Sequence, residues 1–380
     1  MRLGVTGLRG IPGVMGGIEA HAEELYPRIK SISADNDIEI TVRSPYSGPD
    51  TRAFGALHLW PVFTIRNKYL ETILHTFLAV LFLRVRLGCQ MIHIHAIGPG
   101  LLSPLARLLG MKVVLTHHGC DYDRTKWNWL AKLILRMGET FAIRTANEVI
   151  VVSNGVASQL RRDFPHKAAH IHSIPNGASL TFSNGSRDPD PAILAQFGLA
   201  RDSYVLAVGR LLPEKGFHDL IAAMTGIDRK LVIAGAADHA DAYARGLLAR
   251  ASERVIFVGF QSHEVLRSLY AGAALFVLPS YHEGLPIAAL EAASMGRPVL
   301  LSNIPANLEV ALPPTHYFPV GDVDALADKL MLPAEHFLTD AAGIAARFDW
   351  DKIALQTLGV IERARGGTPG VAAPDNRAIA

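Results

Sequence analysis

Two cysteines in 380 residues, Cys89 and Cys120, exclude a disulfide framework and fit a reducing compartment. Aromatic residues make up only 7% of the chain, and charged residues 19%. The longest apolar run, residues 73–83, is interrupted by His75. It is too short to span a bilayer, which needs about 20 residues. The opening Met1-Arg2-Leu3-Gly4-Val5-Thr6-Gly7 turns into a glycine loop before a secretory apolar core could form, so no signal peptide is expected. What is abundant is core material: 49% of the residues are hydrophobic, which excludes a disordered chain. At roughly 100–200 residues per domain the length favours two domains.

Charge is divided unevenly. Residues 1–180 hold 20 Lys and Arg against 13 Asp and Glu, a net of +7; residues 181–380 hold 17 against 22, a net of −5. The basic half predicts an anionic partner, either a phosphate-bearing substrate or a lipid surface.

Short β-branched runs alternate with longer amphipathic segments, the pattern of a parallel sheet built from βαβ units. Strands are predicted at 3–6, 38–42, 91–95, 112–116, 148–152 and 170–173, and in a second series at 205–208, 230–234, 255–258, 275–278 and 298–301. The turn-rich stretch 183–191 between the series is the linker candidate. An amphipathic helix is expected over 350–365, and a disordered tail rich in Gly, Pro and Ala over 366–380.

Four clusters carry chemistry. The first is the glycine loop from Gly7 to Gly17, whose backbone N–H groups can approach a phosphate at a helix start. Its Thr6-Gly7-x-x-Gly10-x-x-Gly13 also matches the nucleotide loop of an NADP-dependent extended short-chain dehydrogenase. Such an enzyme needs a Tyr-x-x-x-Lys pair well downstream; the one early match, Tyr26 to Lys30, sits on the first helix, and a tight dinucleotide turn would not continue through Pro12 to a second glycine pair. The second cluster, Thr116-His117-His118-Gly119-Cys120-Asp121-Tyr122-Asp123-Arg124, follows a predicted strand, where α/β sheets build their sites. A metal is not expected there, because adjacent histidines point to opposite sides of an extended chain. In the third, Gly209-Arg210-x4-Lys215-Gly216, a guanidinium and an ammonium suit a diphosphate. The fourth, Glu283-Gly284-Leu285-Pro286-Ile287 through Glu291, sets two carboxylates around an anion-binding helix start, one for a sugar and one for a ribose diol. With a helix from Leu285 onward, Glu291 would lie about two turns along.

With Arg210-x4-Lys215 and Glu283-x7-Glu291 both present and in order, nearly the whole chain resembles the retaining glycosyltransferases of GT-B fold known as family 4. Gly16-Gly17-Ile18-Glu19, the segment 116–127 and Ile174-Pro175-Asn176-Gly177 resemble bacterial members that build exopolysaccharide or other surface glycans. The resemblance implies an α/β fold of two doubly wound Rossmann-like domains with an interdomain cleft: residues 1–180 on the acceptor side, 181–349 for the nucleotide-sugar, and a 350–365 helix crossing back to the first. It implies catalytic roles for His118, Arg210, Lys215 and Glu283. Donor binding falls to Gly16, Gly17, Gly284, Leu285, Pro286, Ile287 and Glu291, with Phe260 and Gln261 near the base and Asp121 and Arg124 toward the acceptor. The implied reaction moves a hexose from a GDP- or UDP-sugar to a growing, lipid-diphosphate-linked glycan, with retention, no metal and no other cofactor. The expected setting is cytoplasmic, with no nucleic acid among the partners. Segments 73–86 and 126–136 have the make-up for peripheral contact with the inner membrane. The alternative is that both pack into the first domain, which is the expectation preferred for 73–83. The alternatives are the dehydrogenase, a nucleotide-sugar epimerase of the same fold, and a degenerate sugar-nucleotide-binding subunit.

Overall fold

The computed structural model describes residues 2–48, 52–67, 70–119, 129–178, 188–237 and 241–366. The chain divides into two compact units: Met1–Val14, Ile18–Asn176 and Trp350–Ala380 form the first, and Met15–Gly17 with Gly177–Asp349 the second. Residues 183–187 of the linker candidate 183–191, and the tail from 367 onward, lie outside the described residues.

Among the described residues the first unit holds eight strands: β1 (Arg2–Thr6), β2 (Asp37–Arg43), β3 (Ala53–Phe54), β4 (Leu57–Val62), β5 (Met91–His95), β6 (Lys112–His117), β7 (Glu148–Val151) and β8 (Ile171–Ser173). Their order is β3-β4-β2-β1-β5-β6-β7-β8, parallel throughout except for the β3–β4 hairpin. The second holds β9 (Tyr204–Val208), β10 (Lys230–Ala234), β11 (Val255–Gly259), β12 (Leu275–Leu278), β13 (Val299–Ser302) and β14 (Tyr317–Phe318), ordered β11-β10-β9-β12-β13-β14 and wholly parallel. Both are doubly wound sheets. The fold is two Rossmann-like α/β domains.

The strand runs are short and apolar because both faces are buried under helices. On one face of the first sheet Val80, Leu83, Ile92, Ile94, Val113, Leu115, Val149 and Val151 form one core. In the second, Val205, Ala207, Leu231, Ile233, Leu275, Val277 and Leu300 pack with Phe217 and Leu220. Strands β3, β4 and β14 escaped the sequence pattern. Pro61 lies within β4, and a proline normally argues against a strand; β3 and β14 have two residues each.

The strand order reverses direction between β1 and β5 in one sheet and between β9 and β12 in the other. At such a switch point the loops leaving two neighbouring strands part to opposite faces and leave a crevice at the carboxyl ends. Close approach there demands glycine. A Cβ on Gly7, just after β1 with φ +99°, would stand 2.3 Å from the carbonyl oxygen of His95 at the end of β5. A Cβ on Gly216, with φ +66°, would stand 2.1 Å from the carbonyl oxygen of Pro279 after β12. We predict that Gly7→Ala and Gly216→Ala each cost roughly 1–3 kcal/mol of stability. Urea unfolding checks this; an unchanged midpoint would show that the backbones are not in contact.

Candidate active site

In the second unit the loops after β9 and β12 bring a cation and a carboxylate together. The chain leaves β9 through Gly209 and Arg210, makes a 3-10 turn at Pro213–Lys215, and enters the helix Phe217–Ala223 through Gly216. The Lys215 stem runs back along the strand end, its Cδ 3.5 Å from where a Cβ on Gly209 would sit. Its Nζ donates to Glu283 Oε1 at 2.6 Å, and Ser280 Oγ donates to the same oxygen at 2.6 Å. Burial pushes the Glu283 carboxyl up, but the Lys215 ammonium and the two hydrogen bonds outweigh it and hold the group below the ordinary carboxylate value. Glu283 is therefore ionised at neutral pH. Tyr281 N–H donates to the Glu214 carbonyl at 2.8 Å, and Tyr281 Oη to Asp219 at 2.6 Å, tying the two loops together.

Glu291 has a different partner. The helix runs Ile287–Ser294 with extended Pro286 before it, so it starts two residues later than expected. Glu291 lies about one turn in, rather than two, and accepts from Tyr270 Oη at 2.9 Å. Proline has no N–H and restricts the residue before it, which keeps Gly284 and Leu285 out of the helix. Phe260, 46% exposed, and Gln261 follow β11 at the same carboxyl edge of the sheet, and Gln261 donates to the Val258 carbonyl.

Gly16 precedes and Gly17 opens the helix Gly17–Ile32, whose residues from Ile18 onward belong to the first unit. Glu19 of its first turn is buried and accepts from Arg9 N–H at 3.0 Å and Arg9 Nε at 3.2 Å, while Glu23 accepts from Gly13 N–H at 2.6 Å. These carboxylates pin the glycine loop to the helix it introduces. His117 ends β6 with Nε2 on Glu139 at 2.8 Å and Nδ1 accepting from Gly119 N–H. His118, one residue on, turns elsewhere: its Nε2 lies 2.9 Å from His95 Nδ1, and its ring meets His21 edge-on at 4.9 Å. His21 Nδ1 is held by Asn176 Oδ1 at 2.9 Å, and its ring packs on Trp350, first residue of the helix Trp350–Arg365. Asp121 and Arg124 lie outside the described residues.

Nothing in the sequence pattern singles out His21, His93, His95 or Tyr270 as site residues, and Tyr26 enters it only as half of the rejected Tyr-x-x-x-Lys pair. The signal was present in the alternation His93-Ile94-His95, which puts two imidazoles on one face of β5, but within an apolar strand it reads as core. Burial pushes His21 down to about 4 and His93 to about 3, and sends His95 and His118 well below the ordinary value, aided by neighbouring imidazoles. All four are neutral at pH 7. Among the described residues, His21, His95 and His118 form the one group of three or more whose ligand-type atoms all lie within 4.8 Å of one another.

A family model for "Glycosyltransferase Family 4" matches residues 15–182, and one for "Glycosyl transferases group 1" matches residues 191–334. The chain belongs to the GT-B glycosyltransferases. It is 30% identical over 237 residues to the alpha-D-kanosaminyltransferase of Streptomyces kanamyceticus, covering 58% of this chain and 61% of that one. It is also 30% identical over 230 residues to an Escherichia coli UDP-Gal:alpha-D-GlcNAc-diphosphoundecaprenol alpha-1,3-galactosyltransferase, covering 57% and 59%. These alignments span about three fifths of the relatives' own length. The sucrose-phosphate synthase of Thermosynechococcus elongatus shares the fold at 22% identity, with a TM-score of 0.80 over 97% of this chain and all of that one. Nothing in these likenesses supports the dehydrogenase alternative.

The buried imidazoles imply a pH-dependent stability. Their folded pKa values lie below the unfolded value near 6.5, so between the two the unfolded chain binds more protons. Their contribution is complete above about pH 6.5 and is lost as pH falls toward 3–4. At about 1.4 kcal/mol per pH unit and group, His21 and His93 together withdraw roughly 4 kcal/mol by pH 5. The urea midpoint should be flat from pH 8 to 7 and drop steeply from 6.5 to 5. Equal midpoints at pH 7 and 5 would contradict buried neutral histidines.

Proposed function

We propose that this protein transfers a hexose from a UDP- or GDP-sugar, with retention at the anomeric carbon and without a metal, to a lipid-diphosphate-linked glycan. The observation that carries the reading is the Lys215–Glu283 pair at the β9/β12 switch point. An ammonium there can exchange its carboxylate partner for a diphosphate, and with Arg210 it offsets the charge that grows on the departing nucleotide. Glu283, kept ionised, then accepts hydroxyls of the transferred sugar. Backbone N–H groups of Leu285 and Ile287 and of Gly16 and Gly17 are assigned to sugar or phosphate, Glu291 to the ribose, and Phe260 with Gln261 to the base. His118 is assigned a hydroxyl of the donor sugar. As the sugar becomes oxocarbenium-like, attack on the face the nucleotide leaves would retain configuration.

The acceptor class draws on the galactosyltransferase relative, whose name specifies a nucleotide-sugar donor and a diphosphoundecaprenol-linked acceptor. It also draws on surface chemistry. The helix Leu70–Leu81 and the π-helical turn Phe82–Arg86 bury His75, Ala79, Val80 and Leu83 while exposing Leu70, Ile73, Phe77 and Val85. The helix Trp129–Thr145 exposes Trp129, Leu133, Ile134, Met137 and Phe141. Arg84, Arg86, Arg136 and Arg144 lie along the same segments, the composition of an interfacial surface. No helix among the described residues is long and apolar enough to cross a membrane. The setting we assign is the cytoplasmic face of the membrane.

A thermal-shift screen with UDP, GDP and dTDP tests the donor class, because a bound nucleotide raises the midpoint by mass action. One of the three should shift it, whereas a shift with NADP alone would revive the dehydrogenase. Lys215→Ala should lose at least about tenfold in turnover together with most of the nucleotide-induced shift. Glu283→Gln should lose a similar factor in turnover yet keep the shift; wild-type kinetics in either variant would remove its assigned role. Flotation with anionic liposomes at low salt should carry the protein upward, and a protein left at the bottom would count against the membrane surface.

A further inference from the structure

Behind His118 the first unit contains a single file of buried polar groups that the assigned reaction does not use. Thr116 Oγ1 lies 2.6 Å from His93 Nε2, and His93 Nδ1 lies 2.9 Å from Tyr26 Oη. Tyr26 Oη also bonds His95 Nε2, and His95 Nδ1 lies 2.9 Å from His118 Nε2. Tyr26, His93 and His95 are wholly buried and Thr116 nearly so, and the chain joins β5 and β6 to the helix Gly17–Ile32. Buried polar groups satisfied this completely specify one arrangement.

We propose that Tyr26 and His95 are positioning residues for His118, and that the file Thr116–His93–Tyr26–His95–His118 sets which edge of the His118 ring, and which tautomer, meets the substrate. This rests on the role assigned to His118 above. A neutral imidazole carries one N–H and one lone pair. Each link therefore fixes the next, and the whole file has two consistent senses. When Thr116 donates, every bond runs toward His118, whose Nε2 accepts and whose Nδ1–H points outward as a donor. In the reverse sense His118 Nε2–H donates inward and Nδ1 is left as an acceptor. Either way Nε2 is occupied and Nδ1 is the nitrogen offered to a sugar hydroxyl. Asn176, through His21, backs the same ring from another side. Removing the phenol hydroxyl cuts the file in the middle while touching no group that meets substrate.

The test compares Tyr26→Phe, His118→Ala and the double variant in the full chain. It follows release of UDP from UDP-glucose or GDP from GDP-mannose, whichever the wild type turns over. Tyr26→Phe should lower kcat about tenfold with KM for the nucleotide sugar within twofold and the thermal shift by UDP or GDP retained. In the double variant it should add nothing to the loss caused by His118→Ala. Nitrogen-15 spectra of the histidine rings should show His118 as one tautomer in the wild type and a mixture in Tyr26→Phe, a readout that needs no turnover. Losses that multiply in the double variant, or a His118 tautomer unchanged by Tyr26→Phe, would overturn the proposal. So would zinc-dependent turnover abolished by chelation and by His21→Ala, since a metal on His21, His95 and His118 would replace the His95–His118 bond. Wild-type kinetics in His118→Ala would instead sink the role assigned to His118, a separate failure from that of the file behind it.

Discussion

A part-buried ammonium bonded to a part-buried carboxylate is the interaction on which the second unit is organised. Lys215 and Glu283 come from loops after different strands, 68 residues apart in sequence, and each is the other's compensation for leaving water. The pair closes because β9 and β12 are neighbours at the reversal of strand order, and because Gly216 lets one loop lie on the carbonyl of Pro279 in the other. An oxygen-rich anion offers the ammonium a stronger partner than a single carboxylate does. On the proposed function the arrangement is a preorganised exchange, with little reorganisation left for the moment a diphosphate arrives.

The first unit solves the matching problem with the opposite electrostatics. At its own reversal, between β1 and β5, Gly7 lies against His95, and the side chains gathered there are neutral imidazoles, a phenol, an amide and a threonine. Desolvation keeps them uncharged, and hydrogen bonds satisfy them in pairs. A neutral, rigid set can recognise hydroxyl groups by direction without adding charge. One unit presents fixed charge and the other fixed hydrogen-bond geometry, on the same kind of sheet.

Much of this was legible from local pattern. Alternating strand and helix runs placed eleven of the fourteen strands among the described residues, and Gly209-Arg210-x4-Lys215 and Glu283-x7-Glu291 follow β9 and β12. The strands that escaped are two-residue edges and one that contains Pro61, where periodicity has too few residues to act on. Spacing along a chain also misjudged the helix around Glu291, because Pro286 delays its start and Tyr270, on another helix, takes up the carboxylate.

Sequence by itself determined the class of fold and which loops carry charge, since hydrophobic period and glycine placement are local properties that each segment expresses alone. Tertiary structure alone decided who meets whom: Lys215 with Glu283, Glu291 with Tyr270, His118 with His95. Those pairings depend on strand order, and strand order is a global outcome of packing two sheet faces that no stretch of residues encodes on its own. The histidines of β5 make the point most directly, because the same apolar strand that hides them from a reader of the sequence supplies the dry surroundings that keep them neutral.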